Sequence, residues 1–267
     1  MGQLDGKVLL VTGAARGLGA VIARDGVAQG ARVVLADVLD DEGASVAAGL
    51  GDDAVYVHLD VRVEADWAAG VALAESRFGG LDVLVNNAAV LRKGRIESFA
   101  VEEFREVFEV NQLGPFLGMR AVIPAMVKAG RGSIVNVGSI DAIETHVVPG
   151  MLAYEGSKWG LRGMTKVAAQ ELGPLNIRVN SVHPGDYHHE MVDPNPGREP
   201  ADNSGKRMAK RLTPDQVKAW WALGRVAAPE EIASMVLFLA SEQSTYTTGA
   251  DIVCDGGATI GSRYVNA

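Results

Sequence analysis

The sequence predicts an α/β protein built on a doubly wound, seven-stranded parallel sheet of Rossmann type, with helices on both faces in a three-layer α/β/α stack. Three observations predict it. Seven short apolar runs alternate with longer amphipathic stretches over the 267 residues. The runs are continuously apolar, as strands covered on both faces are, whereas a half-exposed strand would alternate. Each run ends in glycine or small polar residues, and open α/β sheets bind ligands outside the carboxyl ends of their strands.

The first run, 7–11, stops at Thr12-Gly13, and a helical stretch over 17–29 follows. The second, 31–36, stops at Asp37 before a helix over 41–49. The third, 54–58, stops at Asp60 before a helix over 64–78. The fourth, 81–85, ends at Asn86-Asn87 and precedes the longest helical stretch, 101–128. The fifth, 133–137, ends at Gly138-Ser139, with a helix over 152–172 after it. The sixth, 177–182, ends at His183-Pro184-Gly185, and a helix over 229–240 comes only after a long interval. The seventh, 251–254, precedes Asp255-Gly256-Gly257. No repeat or low-complexity linker divides the chain, so 1–267 reads as a single domain. Within the long interval, Pro194, Pro196, Gly197, Pro200, Gly205 and Pro214 break any regular element. Residues 186–224 therefore read as a lid over the substrate, a disordered surface insertion being the plainer alternative.

Composition bounds the function. A net charge of −8 argues against nucleic acid or an anionic membrane as the main partner. The one cysteine, Cys254, allows neither an intrachain disulfide nor a thiolate metal cluster. No apolar run approaches the roughly 18 residues of a membrane span. Residues 1–7 lack the charged and apolar regions of a signal peptide, so a soluble, cytoplasmic protein is expected.

Thr12-Gly13-Ala14-Ala15-Arg16-Gly17-Leu18-Gly19 joins strand one to helix one. Small residues let the backbone approach a pyrophosphate, and the helix N-terminus offers unpaired N–H groups and a positive dipole end. Gly13, Gly17, Leu18 and Gly19 are candidate cofactor ligands; Arg16 either meets a phosphate or stands in solvent. Asp37 can accept both hydroxyls of an adenine ribose and would repel a 2′-phosphate. Val38 follows it with no adjacent Arg or Lys, which favours NAD over NADP. Asp60-Val61 can meet the adenine amino group, or Asp60 can cap the helix that starts near Glu64. Tyr154 and Lys158 are four residues apart, on one helical face. An unaided tyrosine, with a pKa of about 10, is a poor base at neutral pH, and an ammonium beside it would lower that value.

Together, Thr12-Gly13-x-x-x-Gly17-x-Gly19, Asp60-Val61, Asn86-Asn87-Ala88-Ala89, Asn111, Ser139, Tyr154-x-x-x-Lys158 and Pro184-Gly185 resemble the motif set of the short-chain dehydrogenase/reductase family. The resemblance covers nearly the whole chain. Segments 32–40, 157–160 and 179–185 are most similar to family members that act on steroid, alicyclic and terpenoid alcohols. It implies an NAD-dependent oxidoreductase that interconverts a small-molecule secondary alcohol and a ketone. Tyr154 would move the proton, and Ser139 would hold the substrate oxygen. Lys158 would lower the Tyr154 pKa and hold the nicotinamide ribose. Asn111 would hold a proton-relay water, unless it is a structural Asn in the long helix. Asn87, Ala88, Pro184 and Gly185 would complete the cofactor site. The family also implies a homotetramer, for which Trp159 and residues 235–240 are candidate contacts; core packing accounts for both equally well. The alternatives are an idle NAD-sensing binding protein and a reductase of an acyclic or polar ketone. Sugar epimerases of the family carry a larger C-terminal substrate domain than residues 256–267 supply.

Several positions depart from the family pattern. Position 89 is Ala where Gly is usual. His189 stands where a threonine commonly contacts the carboxamide, which leaves that end to His189 and the backbone of Tyr187. Asp186-Tyr187-His188-His189-Glu190 invites a metal reading, but adjacent histidines in an extended loop point apart and no third ligand follows at matching spacing. Lid contacts or a solvated loop are the other readings. His183 reads as a packed histidine. Asp141, Glu144 and His146 lie in the expected pocket wall, serving either a hydroxylated or cationic substrate or a solvated rim. Leu152, Met191 and Trp220 or Trp221 would form its apolar part. Arg92, Lys93 and Arg95 follow strand four and either face the pocket entrance or, as the plainer reading, form a solvated face.

Overall fold

The seven apolar runs become β1 (Val8–Thr12), β2 (Arg32–Asp37), β3 (Ala54–His58), β4 (Val83–Asn86), β5 (Gly132–Val137), β6 (Ile177–Pro184) and β7 (Asp251–Cys254). Every boundary falls within two residues of the expected one. The structure, a computed structural model, describes residues 2–145, 150–187 and 220–260. The strands form one parallel sheet in the order β3-β2-β1-β4-β5-β6-β7. From β1 the chain winds outward to β2 and β3, then returns and winds the other way from β4. The strand order therefore reverses between β1 and β4, and a crevice opens there at the carboxyl ends.

Successive strand side chains point to opposite faces, so the continuous apolar runs supply two cores. On one face Leu9, Val11, Val33 and Leu35 pack with Ile22 of α1 (Gly17–Ala28) and Leu237 of α7 (Pro229–Ala240). α2 (Asp40–Leu50) joins this layer through Ala47. On the other face Leu10, Val34 and Leu84 pack with Trp67 of α3 (Glu64–Phe78) and Val122 of α5 (Gly114–Ala129). α6 (Leu152–Leu172) completes that layer through Ala169 and Leu172. Trp67 is fully buried and donates Nε1 to the Val61 carbonyl at 2.9 Å. That bond avoids the roughly 1–3 kcal/mol cost of an unpaired buried donor.

The stretch expected as one helix over 101–128 is interrupted. α4 (Val101–Phe108) and α5 are joined by a π-turn over Glu109–Leu113, with the Gly114 N–H bonded to the Glu109 carbonyl. Pro115 explains the break. Proline has no N–H, so in an uninterrupted α-helix the Asn111 carbonyl would lack its donor four residues on. The wide turn packs directly on α6: a Cβ added to Gly160 would come within 1.8 Å of the Gln112 amide.

Of the expected lid, residues 188–219 lie outside the described residues. Tyr187 forms an isolated parallel bridge with Ala227, Trp221 is buried, and Trp220 is half exposed. Val236, Leu237 and Leu239 are core residues, so packing accounts for the 235–240 stretch, whereas Trp159 is exposed. No described helix is long and apolar enough to cross a membrane.

Candidate active site

A groove of about 640 Å³ runs along the carboxyl ends of the strands at the crevice, within the range of ligand pockets. The glycine loop forms one wall. Gly13 and Gly17 adopt φ of 64° and 56°, which a side chain would strain. A Cβ at Gly19 would come within 2.1 Å of the Gly13 carbonyl, and one at Gly13 within 2.9 Å of the Ala88 backbone. At Gly17 nothing lies within 4 Å of that position, so the loop backbone is open where it faces the groove. No side chain caps the N-terminus of α1, and its first turn holds no acid. These unpaired N–H groups and the dipole end suit an anion. The residues present fit the pyrophosphate of a dinucleotide.

The loop is stitched to β4 across the crevice. Thr12 Oγ1 accepts the N–H groups of Asn87 and Ala88, each at 3.0 Å. Asn87 Nδ2 donates to the carbonyls of Thr12 (2.9 Å) and Gly13 (3.2 Å). Asn87 thus shapes the glycine loop with its side chain, and both Asn87 and Ala88 line the groove. Asp37 is tied in from the other side. Its carboxylate accepts N–H groups from Ala15 (2.9 Å), Val38 (2.8 Å) and Leu39 (3.2 Å). Arg16, Leu18, Val38 and Val61 line the same groove.

Asp60 arrives with a partner that the motif does not advertise. The Arg62 guanidinium grips both its oxygens at 2.5–3.1 Å, and that bond holds the Asp60 carboxyl below its ordinary range. The helix-cap reading of Asp60 fails: the residue before α3 is Val63, and Asp66 turns back to accept the Asp60 N–H.

Tyr154, Lys158, Ser139 and Asn111 are all buried and meet at the inner end of α6. Lys158 Nζ donates to the Val137 carbonyl at 2.8 Å and lies 5.6 Å from the centre of the Tyr154 ring. Ser139 follows β5. Its hydroxyl donates to the Asp141 carboxylate at 2.9 Å and accepts the Asp141 N–H at 3.1 Å. Asn111 spends its side chain on structure. Its Oδ1 accepts the Val90 N–H at 2.9 Å, while its Nδ2 donates to the Val90 carbonyl at 2.9 Å and to Ser157 Oγ at 3.0 Å. The structural reading of the Asn111 side chain is the one the contacts favour.

Electrostatics reverse one expectation. The Tyr154 hydroxyl is pushed well above its ordinary value, first by burial and then by the charge of Asp141; hydrogen bonding with Ser139 pulls the other way. Lys158 is itself lowered to about 8 by burial. The protein alone therefore holds the phenol protonated, in the form of a general acid. Tyr187 lies in the groove wall and is close enough to add to the Tyr154 shift, so the Tyr154 cluster lies near the Tyr187 end of the groove.

A second layer fixes Ser139. Buried His183 contacts the Ser139 carbonyl through Nδ1 at 2.9 Å and Ser181 Oγ through Nε2 at 2.9 Å, as a packed histidine does. Arg162 spans the Ala142 carbonyl and Asp251, both at 2.8 Å. Neither Arg162 nor Asp251 stands out in the sequence, because the two are 89 residues apart. Gly185 donates its N–H to Cys254, and a Cβ there would meet Asp255 at 2.8 Å, so the Pro184-Gly185 turn is pinned against β7. The solvated-face reading of Arg92 is corrected. It is 4% exposed and makes a two-pronged pair with Glu106 at 2.8 and 2.9 Å, because burial demands a partner for a charge. Arg95 is exposed and pairs with Glu97. His146, His188, His189 and Met191 lie outside the described residues.

A family model described as enoyl-(acyl carrier protein) reductase matches residues 13–259. The chain is 46% identical to a 3-alpha-(or 20-beta)-hydroxysteroid dehydrogenase of Mycobacterium tuberculosis, over 98% of this chain and 93% of the relative. It is 43% identical to the trans-4-hydroxycyclohexanecarboxylate dehydrogenase of Sinomonas cyclohexanicum, over 96% of this chain and 94% of the relative. It is 38% identical to the cyclopentanol dehydrogenase of Comamonas testosteroni, over 97% and 99% respectively.

Proposed function

The chain belongs to the short-chain dehydrogenase/reductase family, and from that premise we propose that it interconverts a cyclic secondary alcohol and its ketone with NAD. The named relatives act on ring-borne hydroxyls, from cyclopentanol to steroids. The observation that carries the reading is the buried meeting of the Tyr154 phenol, the Ser139 hydroxyl and the Lys158 amine beside a dinucleotide-sized groove.

When bound, the dinucleotide supplies the hydride acceptor or donor. Gly13, Gly17, Leu18 and Gly19 would hold its pyrophosphate, with Arg16 at the rim and Asp37 at the adenine ribose. Asp60 and Val61 would flank the adenine, and Asn87 and Ala88 would line the middle. Pro184, Gly185, Tyr187 and His189 would close the nicotinamide end. Ser139 would donate to the substrate oxygen and stabilise charge developing there. Tyr154, protonated in the free protein, would give its proton to a carbonyl oxygen in reduction; in oxidation it would first lose that proton to solvent and then, as the phenolate, take the proton of the alcohol. Lys158 keeps much of its charge at neutral pH and stands 5.6 Å from the Tyr154 ring, within reach of that exchange. Since the Asn111 side chain is committed, its backbone carbonyl, left without an α-helical donor by Pro115, is the better relay group between Lys158 and solvent.

NAD is favoured because Asp37 ends β2 in the groove lining, and a carboxylate beside the adenine ribose would repel a 2′-phosphate. A homotetramer is favoured by the exposed Phe116 of α5 and Trp159 of α6. Replacing Tyr154 with Phe tests the core of this reading. Oxidation of cyclic alcohols should fall by a factor of about 10² or more while NADH binding persists. Near-normal turnover would refute the assignment, and NADH binding by the wild type without turnover over a broad alcohol panel would favour a binding protein.

A further inference from the structure

Asp60 and Glu106 line the groove along with Asp37, and an arginine holds each of them. Arg92 pairs with Glu106, and Arg62, itself in the groove lining, pairs with Asp60. An ionised carboxylate offers about four lone-pair sites. Arg62 fills those of Asp60 from both its backbone and its side chain. Its N–H reaches Oδ1 at 3.0 Å, its Nε is shared between Oδ1 at 2.9 Å and Oδ2 at 3.1 Å, and its Nη2 reaches Oδ2 at 2.5 Å. A further donor, such as the amino group of an adenine, finds no acceptor left on Asp60.

The turn that presents the pair is fixed. Asp66 Oδ2 accepts the Asp60 N–H and the Asp60 carbonyl accepts the Val63 N–H, both at 2.9 Å. Buried Trp67 holds the Val61 carbonyl at 2.9 Å. The two partners are two residues apart on this braced turn, so their bond orders no distant segment. A charge-assisted, two-pronged bond is about twice as strong as a neutral one. A base lying in the groove would also shield the pair from water and strengthen it. A neutral aromatic amine is the weaker competitor for Asp60.

We propose that Arg62 is a cofactor-specificity residue: by occupying the Asp60 carboxylate it makes the groove indifferent to the 6-amino group of the dinucleotide's purine. The proposal rests on the dinucleotide reading above and deepens it. It replaces the amino-group contact expected of Asp60 from the sequence. Binding of the base then falls to the apolar lining, Val38, Val61 and Val110, and to the Arg62 side chain, whose guanidinium a planar ring can cover.

The test titrates the protein with NADH and with the reduced dinucleotide that carries unsubstituted purine in place of adenine, both followed by cofactor fluorescence. The two Kd values of the wild type should lie within threefold of each other. In Arg62→Ala and Arg62→Met the Asp60 carboxylate is released. Its bond to the amino group should then make NADH bind about tenfold tighter than the purine form, the value of a hydrogen bond to a charged group. An arginine that only supported the fold would weaken both dinucleotides alike and leave their ratio unchanged. A wild-type preference for NADH above threefold overturns the proposal, and that comparison needs no variant. A ratio that stays within threefold in both variants overturns it as well. In either case, oxidation of cyclic alcohols by the wild type leaves the dehydrogenase reading standing. Failure of the wild type to bind either dinucleotide overturns both.

Discussion

Asn111 Nδ2 donates to Ser157 Oγ at 3.0 Å, and that bond ties the π-turn to the helix carrying Tyr154 and Lys158. Ser157 in turn donates to the Tyr154 carbonyl at 2.7 Å, so the chain of bonds ends on the backbone of the tyrosine itself. The same amide satisfies both backbone groups of Val90.

Asn111→Leu should therefore damage stability and not turnover alone. It leaves the Val90 N–H and carbonyl unpaired, at roughly 1–3 kcal/mol for each group that water does not reach. Denaturant unfolding should show a loss of about 2–4 kcal/mol. A loss under about 0.5 kcal/mol, the range of ordinary surface changes, would mean that the amide is not structural.

Asp37 links two halves of the dinucleotide groove, because its carboxylate bonds the Ala15 N–H of the glycine loop as well as Val38 and Leu39. Asp37→Ser should raise the Kd for NADH by about tenfold or more, the value of 1.4 kcal/mol, while narrowing the gap to NADPH. Titration by cofactor fluorescence measures both. Equal affinity of the wild type for NADH and NADPH would contradict the assigned role.

Lys158 gives a pH signature. Burial lowers it from an ordinary 10.5 to about 8. Between those values the unfolded chain binds the proton and the folded chain does not, so this group makes stability rise with pH. The strain of a buried charge is fully present below pH 8 and is relieved above it, by at most about 3 kcal/mol. Tyr154 is shifted upward, and its opposing contribution starts only near pH 10, where an unfolded tyrosine ionises. The stability difference between wild type and Lys158→Met should thus grow in favour of wild type from pH 8 to 9.5. A flat difference would show that Lys158 titrates normally.

The sheet was legible because strands buried on both faces leave uninterrupted apolar runs, and Leu9 to Val11 or Val33 to Ala36 carry no competing signal. The glycine loop was legible for the same local reason: its chemistry and its geometry lie in eight consecutive residues. The break at the π-turn was also written in the chain, in Gly114-Pro115, but amphipathic periodicity on both sides masked it. What could not be read were long-range pairings. Arg92 with Glu106 and Arg162 with Asp251 depend on which charges burial brings together, and a single charged residue reads as solvated until its neighbours are known. The sign of the Tyr154 shift belongs here too: spacing placed a cation four residues away, but burial and the charge of Asp141 push the phenol up.

Phe116 and Trp159 are nearly half exposed on α5 and α6, and Val167 on α6 is more so. Large apolar side chains left in water suit a subunit contact. The wild type should run as a tetramer in light scattering, and Trp159→Glu with Phe116→Glu should shift it to a smaller species. A monomeric wild type would remove the proposal.

Arg162 makes the most demanding case, since it touches neither the groove nor Tyr154. Its guanidinium bonds the Ala142 carbonyl and Asp251, both at 2.8 Å, and lies over the Trp159 ring at 5.4 Å. Despite its burial, Asp251 is kept well below the ordinary carboxylate range by Lys166 and Arg162, so the pair is a charged brace behind the Ser139–Asp141 turn. Removing the brace lets the turn drift, and misplacing a reacting group by about 1 Å can cost up to about 100-fold in rate. Arg162→Met should lower kcat by roughly tenfold with the NADH Kd unchanged, because the glycine loop and Asp37 are on the other side of the sheet crevice. Arg162→Lys, which keeps the charge but can reach only one partner at a time, should recover part of the loss. Parallel losses of kcat and NADH affinity in both variants would instead mean that Arg162 supports the fold as a whole and does not position Ser139.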